Sequence, residues 1–248
     1  MTNSTNGSSG PIARDAYDRL AAGYDRQGET KPANAHLERP ATLSLLPDAA
    51  GDRVLDAGCG AGHLAAELAD RGASVVGVDV SEAMLAYARD RVRSASFVRA
   101  DLGIGLSFAD DSFDGVASSL AFHYVREWDL LFRELRRIVR PGGWPVVSVQ
   151  HPHADFVEYD DAQNYHERER VSVAWESFGT VVDVPAYRRP LSAMVDPALN
   201  AGFRLDRLVE PTPTEAYRRA DPDRYEYEAT NPNFLCFRFV SSDQSGGK

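Results

Sequence analysis

Apolar residues recur about every four positions through ARDAYDRLAAGYDRQ (13–27), where Ala16, Leu20 and Tyr24 fall on one helical face. A second helix is predicted over 33–46, stopping before Pro47. The rhythm then changes. Short apolar runs at 53–57, 74–78, 96–99, 113–118 and 146–150 read as strands, and the segments 62–71, 81–92 and 128–139 between them read as helices. Gly72 ends the first of these helices, Ser81 is an N-cap with Glu82 beside it, and Pro141-Gly142-Gly143 closes the third. Pro145 is placed at the beginning of the fifth strand, where a missing N–H is tolerated.

Strands alternating with helices over short loops predict an α/β fold, a doubly wound and mostly parallel sheet with helices on both faces. Right-handed crossovers put the C-terminal ends of the parallel strands on one edge, where ligands collect. After Gln150 the alternation breaks. Two β-rich runs in RVSVAWESFGTVVDVPAY, around a Phe178-Gly179 turn, predict an inserted hairpin; a helix at 192–200, ended by Gly202, and two strands at 203–209 and 234–240 follow. The expected organisation is a disordered tail at 1–10, a helical cap at 11–47 and a core at 48–150. An inserted hairpin or lid at 151–190 and the rest of the core at 191–241 follow, with 211–232 as a second lid segment and a tail at 242–248.

Composition narrows the class. A 43% apolar fraction supports a real core, and 27 basic against 37 acidic residues give a net charge of −10, which argues against non-specific nucleic-acid binding. Lysine occurs only at Lys31 and Lys248, so nearly all positive charge is arginine, a bias that genome composition accounts for most simply. Cys59 and Cys236 make neither a disulfide framework nor a zinc spacing. No window reaches the roughly 18 apolar residues of a membrane span, and MTNSTNGSSG has no signal-peptide pattern. The expectation is a cytoplasmic protein with no membrane and no nucleic-acid partner.

The chemistry concentrates in VLDAGCGAG (54–62). A dinucleotide loop needs a third glycine where this chain has His63, and the triphosphate loop's Lys-Ser/Thr pair is missing. Asp56, two residues before Gly58, would repel a pyrophosphate but suits a ligand carrying an amine. Asp79 ends the second strand about twenty residues after the glycines, where an acid accepts from ribose hydroxyls. Asp101 ends the third, where it can accept from an adenine amine while Leu102 packs on the ring. Amine, ribose and adenine together describe S-adenosylmethionine.

On these residues the chain resembles the class I S-adenosylmethionine-dependent methyltransferases, in particular the small-molecule type 11 group. The resemblance is carried by VLDAGCGAG (54–62), VVGVDVSEAML (75–85), RADL (99–102), SFDGVASSLAFHYV (112–125) and LRRIVRPGG (135–143), with looser matches at 17–25 and 187–211. It implies a seven-stranded Rossmann-like methyltransferase sheet with an inserted lid. It also implies transfer of a methyl group from S-adenosyl-L-methionine, by in-line displacement, to a small-molecule acceptor. Asp56, Gly58, Cys59 and Gly60 would hold the methionine end, Asp79 the ribose with Val80 and Met84 nearby, and Asp101 with Leu102 the adenine. Tyr24 would lie over the cofactor, and Ser119 is included on the β-strand side.

Blander readings stand beside these. Met84 also suits a helix core, and Cys59 suits packing, with no base near it in sequence. His123 is open between general base, substrate donor and structural imidazole, and His151 between pocket lining and catalysis. His153 and His166 are expected at the surface. Arg188 and Arg189 are open between meeting an anionic substrate and standing solvated. Rival functions are methylation of RNA or protein and cofactor binding without transfer.

Overall fold

A computed structural model describes residues 10–28, 30–176 and 178–242. The tails expected at 1–10 and 242–248 lie, Gly10 and Ser242 aside, outside the described residues. β1 (Arg53–Ala57), β2 (Ser74–Asp79), β3 (Ser96–Arg99), β4 (Phe113–Ser119) and β5 (Val139–Gln150) run parallel. β8 (Phe203–Val209) and β9 (Phe234–Ser241) complete a seven-stranded sheet of order β3-β2-β1-β4-β5-β9-β8. β9 runs antiparallel to both of its neighbours. The chain fills the sheet outward from β1 in one direction, then returns to β4 and fills the other. The crevice at that reversal, between β1 and β4, is where such sheets bind ligands.

Side chains alternate across the sheet as the pleat requires. Leu55, Val78, Phe113 and Phe237 pack on one face with Phe132 and Leu135 of α5 (Trp128–Ile138). Val54, Val75 and Val146 pack on the other with Leu64 and Leu68 of α3 (His63–Asp70). Gly62 precedes α3 with φ +82°, and a Cβ there would come within 3.0 Å of Ala88 on α4 (Glu82–Arg91). The close helix packing that a dinucleotide loop obtains from a later glycine is obtained here one position earlier.

Several elements differ from the sequence pattern. The fifth strand starts at Val139 and runs through Pro141-Gly142-Gly143, because its register against β4 shifts between Phe113 and Gly115. Pro145 is therefore inside the strand; the ladder to β9 starts at Val146, so Pro145 owes that neighbour no N–H. The helix expected at 33–46 is a π-turn, Asn34–Glu38, followed by α2 (Arg39–Leu45) with Pro40 in its first turn. Pro40 lacks the N–H that would continue a regular ladder, and the wider turn absorbs the mismatch. The segment 211–232 contains α8 (Glu215–Ala220) and α9 (Pro222–Glu228), and α6 (Pro152–Glu158) follows β5.

The hairpin of β6 (Glu169–Trp175) and β7 (Val182–Arg188) forms a separate two-stranded sheet. It packs on α1 (Arg14–Gln27) through a cluster of Ala16, Leu20, Phe178, Val182 and Val184. Gly23 permits this approach, since a Cβ there would sit 2.2 Å from the Phe178 carbonyl oxygen. α7 (Ser192–Asn200) leads back to the sheet. Among the described residues no helix is long and apolar enough to cross a membrane.

Candidate active site

Three adjoining cavities lie at the sheet's C-terminal edge, and Tyr24 and Leu120 border all of them. The first, about 80 Å³, is lined by Gly58, Gly60, Asp79, Val80, Asp101 and Leu102. A second of about 40 Å³ meets Glu38, Arg39, Asp56, Cys59, Gly60 and Ser119. The third, about 360 Å³, has His123 on its wall and aromatic rings from Tyr17, Tyr124, Trp175, Phe178 and Tyr217. Leu120 holds a left-handed φ of +51° just past β4, a conformation costing a β-carbon residue roughly 1–2 kcal/mol. Backbone strain of this kind gathers at functional sites.

The acids at the strand ends have different environments. Asp56 is 1% exposed, and neither carboxylate oxygen has a hydrogen-bond partner among the described residues. Burial pushes its carboxyl up to about 8, and the charge of Asp79 adds to this. Asp79 is better served. It accepts the Gly60 N–H at 2.9 Å on Oδ2 and the Ser81 N–H at 2.8 Å on Oδ1. Burial still raises its carboxyl, with those N–H groups pulling it back. Asp101 accepts the Gly103 N–H at 2.8 Å.

Glu38 carries no signal in the sequence pattern, yet it is 1% exposed and central. Its Oε1 accepts hydroxyl hydrogen bonds from Thr42 at 2.7 Å, from Ser119 at 2.9 Å and from Ser148. The π-turn turns it inward, and Ser119 spends its hydroxyl on it. Between the first and third cavities the phenols of Tyr17 and Tyr124, which line both, share a 2.7 Å hydrogen bond. Burial pushes the Tyr24 phenol up to about 12.

The other expected residues divide. Val80, Asp101, Leu102, Gly58 and Tyr24 line the first cavity as a group. Met84 does not border that cavity: it is fully buried in a cluster with Ala21 and Ala61, against which Tyr17 and Tyr24 of the cavity wall pack. Cys59 borders a cavity, but burial drives its thiol well above its usual range, which leaves it inert as a nucleophile.

His123 is 5% exposed, and its Nδ1 has no hydrogen-bond partner among the described residues. Burial, with Arg189 adding, lowers its imidazole to about 3. His151 is not on the wall of any of the three cavities. Its Nε2 meets Glu210 at 2.9 Å and its Nδ1 accepts the His153 N–H at the start of α6, so both nitrogens have partners and the ring caps that helix. His153 and His166 are exposed.

The arginine pair is not solvated. Arg188 is fully buried and tied to Glu169 at 2.7 Å and to the carbonyls of Asn164, Tyr165 and Glu167, which closes the base of the hairpin. Arg189, 2% exposed, donates to the Val125 carbonyl and stacks 4.3 Å over Trp128.

Residues 55–147 match the family described as "Methyltransferase domain", of the type 11 group. The demethylmenaquinone methyltransferase of Symbiobacterium thermophilum is 29% identical over 216 residues, 82% of this chain and 80% of its own length. That of Clavibacter sepedonicus is 38% identical over 135 residues, and the match spans 53% of this chain and 55% of that protein, about half its length. A solved S-adenosylmethionine-dependent methyltransferase from Mesorhizobium loti superposes with a TM-score of 0.72 at 29% identity, over 86% of this chain and 99% of that one. With the sheet order and the acids at three successive strand ends, these likenesses identify residues 55–147 as a methyltransferase domain, carried on the fold of a solved S-adenosylmethionine-dependent methyltransferase. The matched domain is of the type 11 group, and the likenesses support S-adenosyl-L-methionine as its cofactor.

Proposed function

We propose that the protein methylates a small molecule bound in the 360 Å³ cavity. The observation that carries this is a shared wall: Tyr17, Tyr24, Leu120 and Tyr124 border both that cavity and the one lined by Asp79 and Asp101. A ligand on each side would meet at that wall. When bound, S-adenosylmethionine supplies a methyl group already activated by its sulfonium.

The residues fit that cofactor. Asp56 is a buried carboxylate with no partner, beside Gly58 and Gly60, and an ammonium would satisfy it. Asp79 keeps lone pairs for ribose hydroxyls, because each oxygen accepts one backbone N–H. Asp101 and Leu102 would take the adenine, with Val80 beside them. Tyr24 would cover the methionine end, and Ser119 would act through Glu38.

Placement does most of the work this chain has to do. Aligning two reactants contributes roughly 7–11 kcal/mol in favourable cases. His123 stays neutral at ordinary pH and is a weak base with its imidazole at about 3. Its role in this proposal is to accept a hydrogen bond from the acceptor. Residues of α1, the hairpin and the α8–α9 segment wall the cavity and give it the concave, partly aromatic lining that small ligands need.

The names of the Symbiobacterium and Clavibacter relatives, both demethylmenaquinone methyltransferases, support a small-molecule acceptor. The net charge of −10 argues against RNA as the substrate. The test is incubation with methyl-labelled cofactor and a fractionated metabolite extract. Label in a low-molecular-weight product is the expected result; label in RNA or protein, or none with any fraction, would count against the proposal.

A further inference from the structure

We infer that the acceptor carries an oxyanion, a carboxylate on a planar apolar body, and that Lys31 holds it against the aromatic wall of the 360 Å³ cavity. This rests on the methyltransferase reading of that cavity. The chain has 27 basic residues, of which only Lys31 and Lys248 are lysine, and Lys31 lines this cavity. Where arginine is the default cation, a lysine on a cavity wall supplies something different: a compact, rotatable point charge in place of a planar fork.

The surroundings of the Lys31 ammonium ask for an anion. Nζ sits 5.7 Å from the Trp175 ring centroid and 5.5 Å from that of Phe178, near the outer limit of useful cation–π attraction. Among the described residues no carboxylate forms an ion pair with it. Burial lowers its ammonium below the usual range; Glu158 restores part of this and Arg224 adds to the lowering. An oxyanion at Nζ would replace the lost hydration.

The other charges on the wall are largely committed. Arg224 Nε donates to Glu228 Oε1 at 2.9 Å, and Asn233 donates to the same oxygen at 3.1 Å. Asp221 accepts the Arg224 backbone N–H at 3.0 Å and caps α9. Glu158, exposed on α6, is the nearby carboxylate that would repel the anion. The rings of Trp175 and Phe178 continue into Tyr17 and Tyr24, which border the cofactor side. A planar body anchored at Lys31 therefore has an aromatic track leading to the methyl-transfer wall.

The test uses one scaffold in three charge states, 2-naphthoate, 2-naphthamide and 2-naphthylmethylamine, titrated calorimetrically into protein saturated with S-adenosylhomocysteine. Naphthoate is expected to bind at least about tenfold tighter than the other two, a gap of about 1.4 kcal/mol. Lys31→Met should remove that gap while leaving S-adenosylhomocysteine binding intact, and Glu158→Gln should widen it. Equal binding of the three probes, tighter binding of the amine, no binding of naphthoate, or a gap unchanged in Lys31→Met would each overturn the inference. If S-adenosylhomocysteine itself does not bind, the methyltransferase reading falls as well; if it binds and the gap is absent, only the Lys31 inference falls.

Discussion

Replacing Asp56 with Asn should stabilise the cofactor-free protein and cripple cofactor binding. The native carboxyl lies at about 8 against 3.8 for an ordinary aspartate, a shift caused first by burial and then by Asp79. Its folded value is raised, so the native state binds more protons than the unfolded chain between these limits. Stability contributed by this group therefore falls as pH rises from about 4 to about 8. At about 1.4 kcal/mol per unit, ionising Asp56 in place costs at most about 6 kcal/mol at pH 8. The buried amide of Asn would itself lack partners, which returns roughly 1–3 kcal/mol. With some relaxation of the site, a net gain of about 2 kcal/mol is expected at pH 8. For a chain of this size that is roughly 4–8 °C in melting temperature. The assay is urea and thermal unfolding from about pH 5 to pH 8.5, with S-adenosylhomocysteine titrated into both proteins. Asp56→Asn should flatten the pH slope, raise the melt at pH 8 and bind at least tenfold more weakly, by about 1.4 kcal/mol or more. Wild-type affinity should rise with pH over the same range, because binding an ammonium ionises Asp56 and releases a proton. A variant that melts like wild type at pH 8 and keeps its affinity would refute the reasoning.

Three further perturbations test neighbouring parts of the site. Asp79→Asn should lower S-adenosylhomocysteine affinity by about 1.5–3 kcal/mol, the range for hydrogen bonds to a charged group, and unchanged calorimetry would remove Asp79 from the ribose. The His123 imidazole, at about 3 in the folded chain, is depressed, so its contribution to stability is complete above about pH 6.5 and is lost as pH falls toward 3. His123→Asn should flatten that acid limb, and Arg189→Met should raise the imidazole value seen by NMR; titration of wild-type His123 near 6.5 would contradict this. Gly62→Ala forces a β-carbon into a left-handed turn 3.0 Å from Ala88. It should lower stability by about 1–3 kcal/mol, and a melt equal to wild type would show that α3 and α4 give way there.

Much of the core was legible because its signals are local. The alternation across 53–150 reflects residues whose burial follows from their own periodicity, and Asp56, Asp79 and Asp101 announce themselves by sitting at strand ends. What escaped depends on distant partners. Glu38 reads as one more helical glutamate until Thr42, Ser119 and Ser148 are brought to it. Leu120 shows its strain only in φ. Arg188 and Arg189 look like a solvated pair because nothing near them in sequence predicts the Asn164–Glu169 carbonyls and carboxylate, or the Trp128 ring, that bury them. The partner of His151 is hidden for the same reason, since Glu210 lies 59 residues away. Pro145 marked a strand start that a register shift elsewhere made unnecessary.

The most direct measurement is a calorimetric comparison of S-adenosylmethionine, S-adenosylhomocysteine and NAD with the wild-type chain. Asp56 beside the glycines and the acids Asp79 and Asp101 predict that both sulfur nucleosides bind at one site. At about a hundred times the dissociation constant, each should stabilise the fold by roughly 2.7 kcal/mol. NAD, whose pyrophosphate would meet Asp56, should not bind. Binding of NAD with no heat from either sulfur nucleoside would contradict the assignment of the glycine loop to a cationic methyl donor.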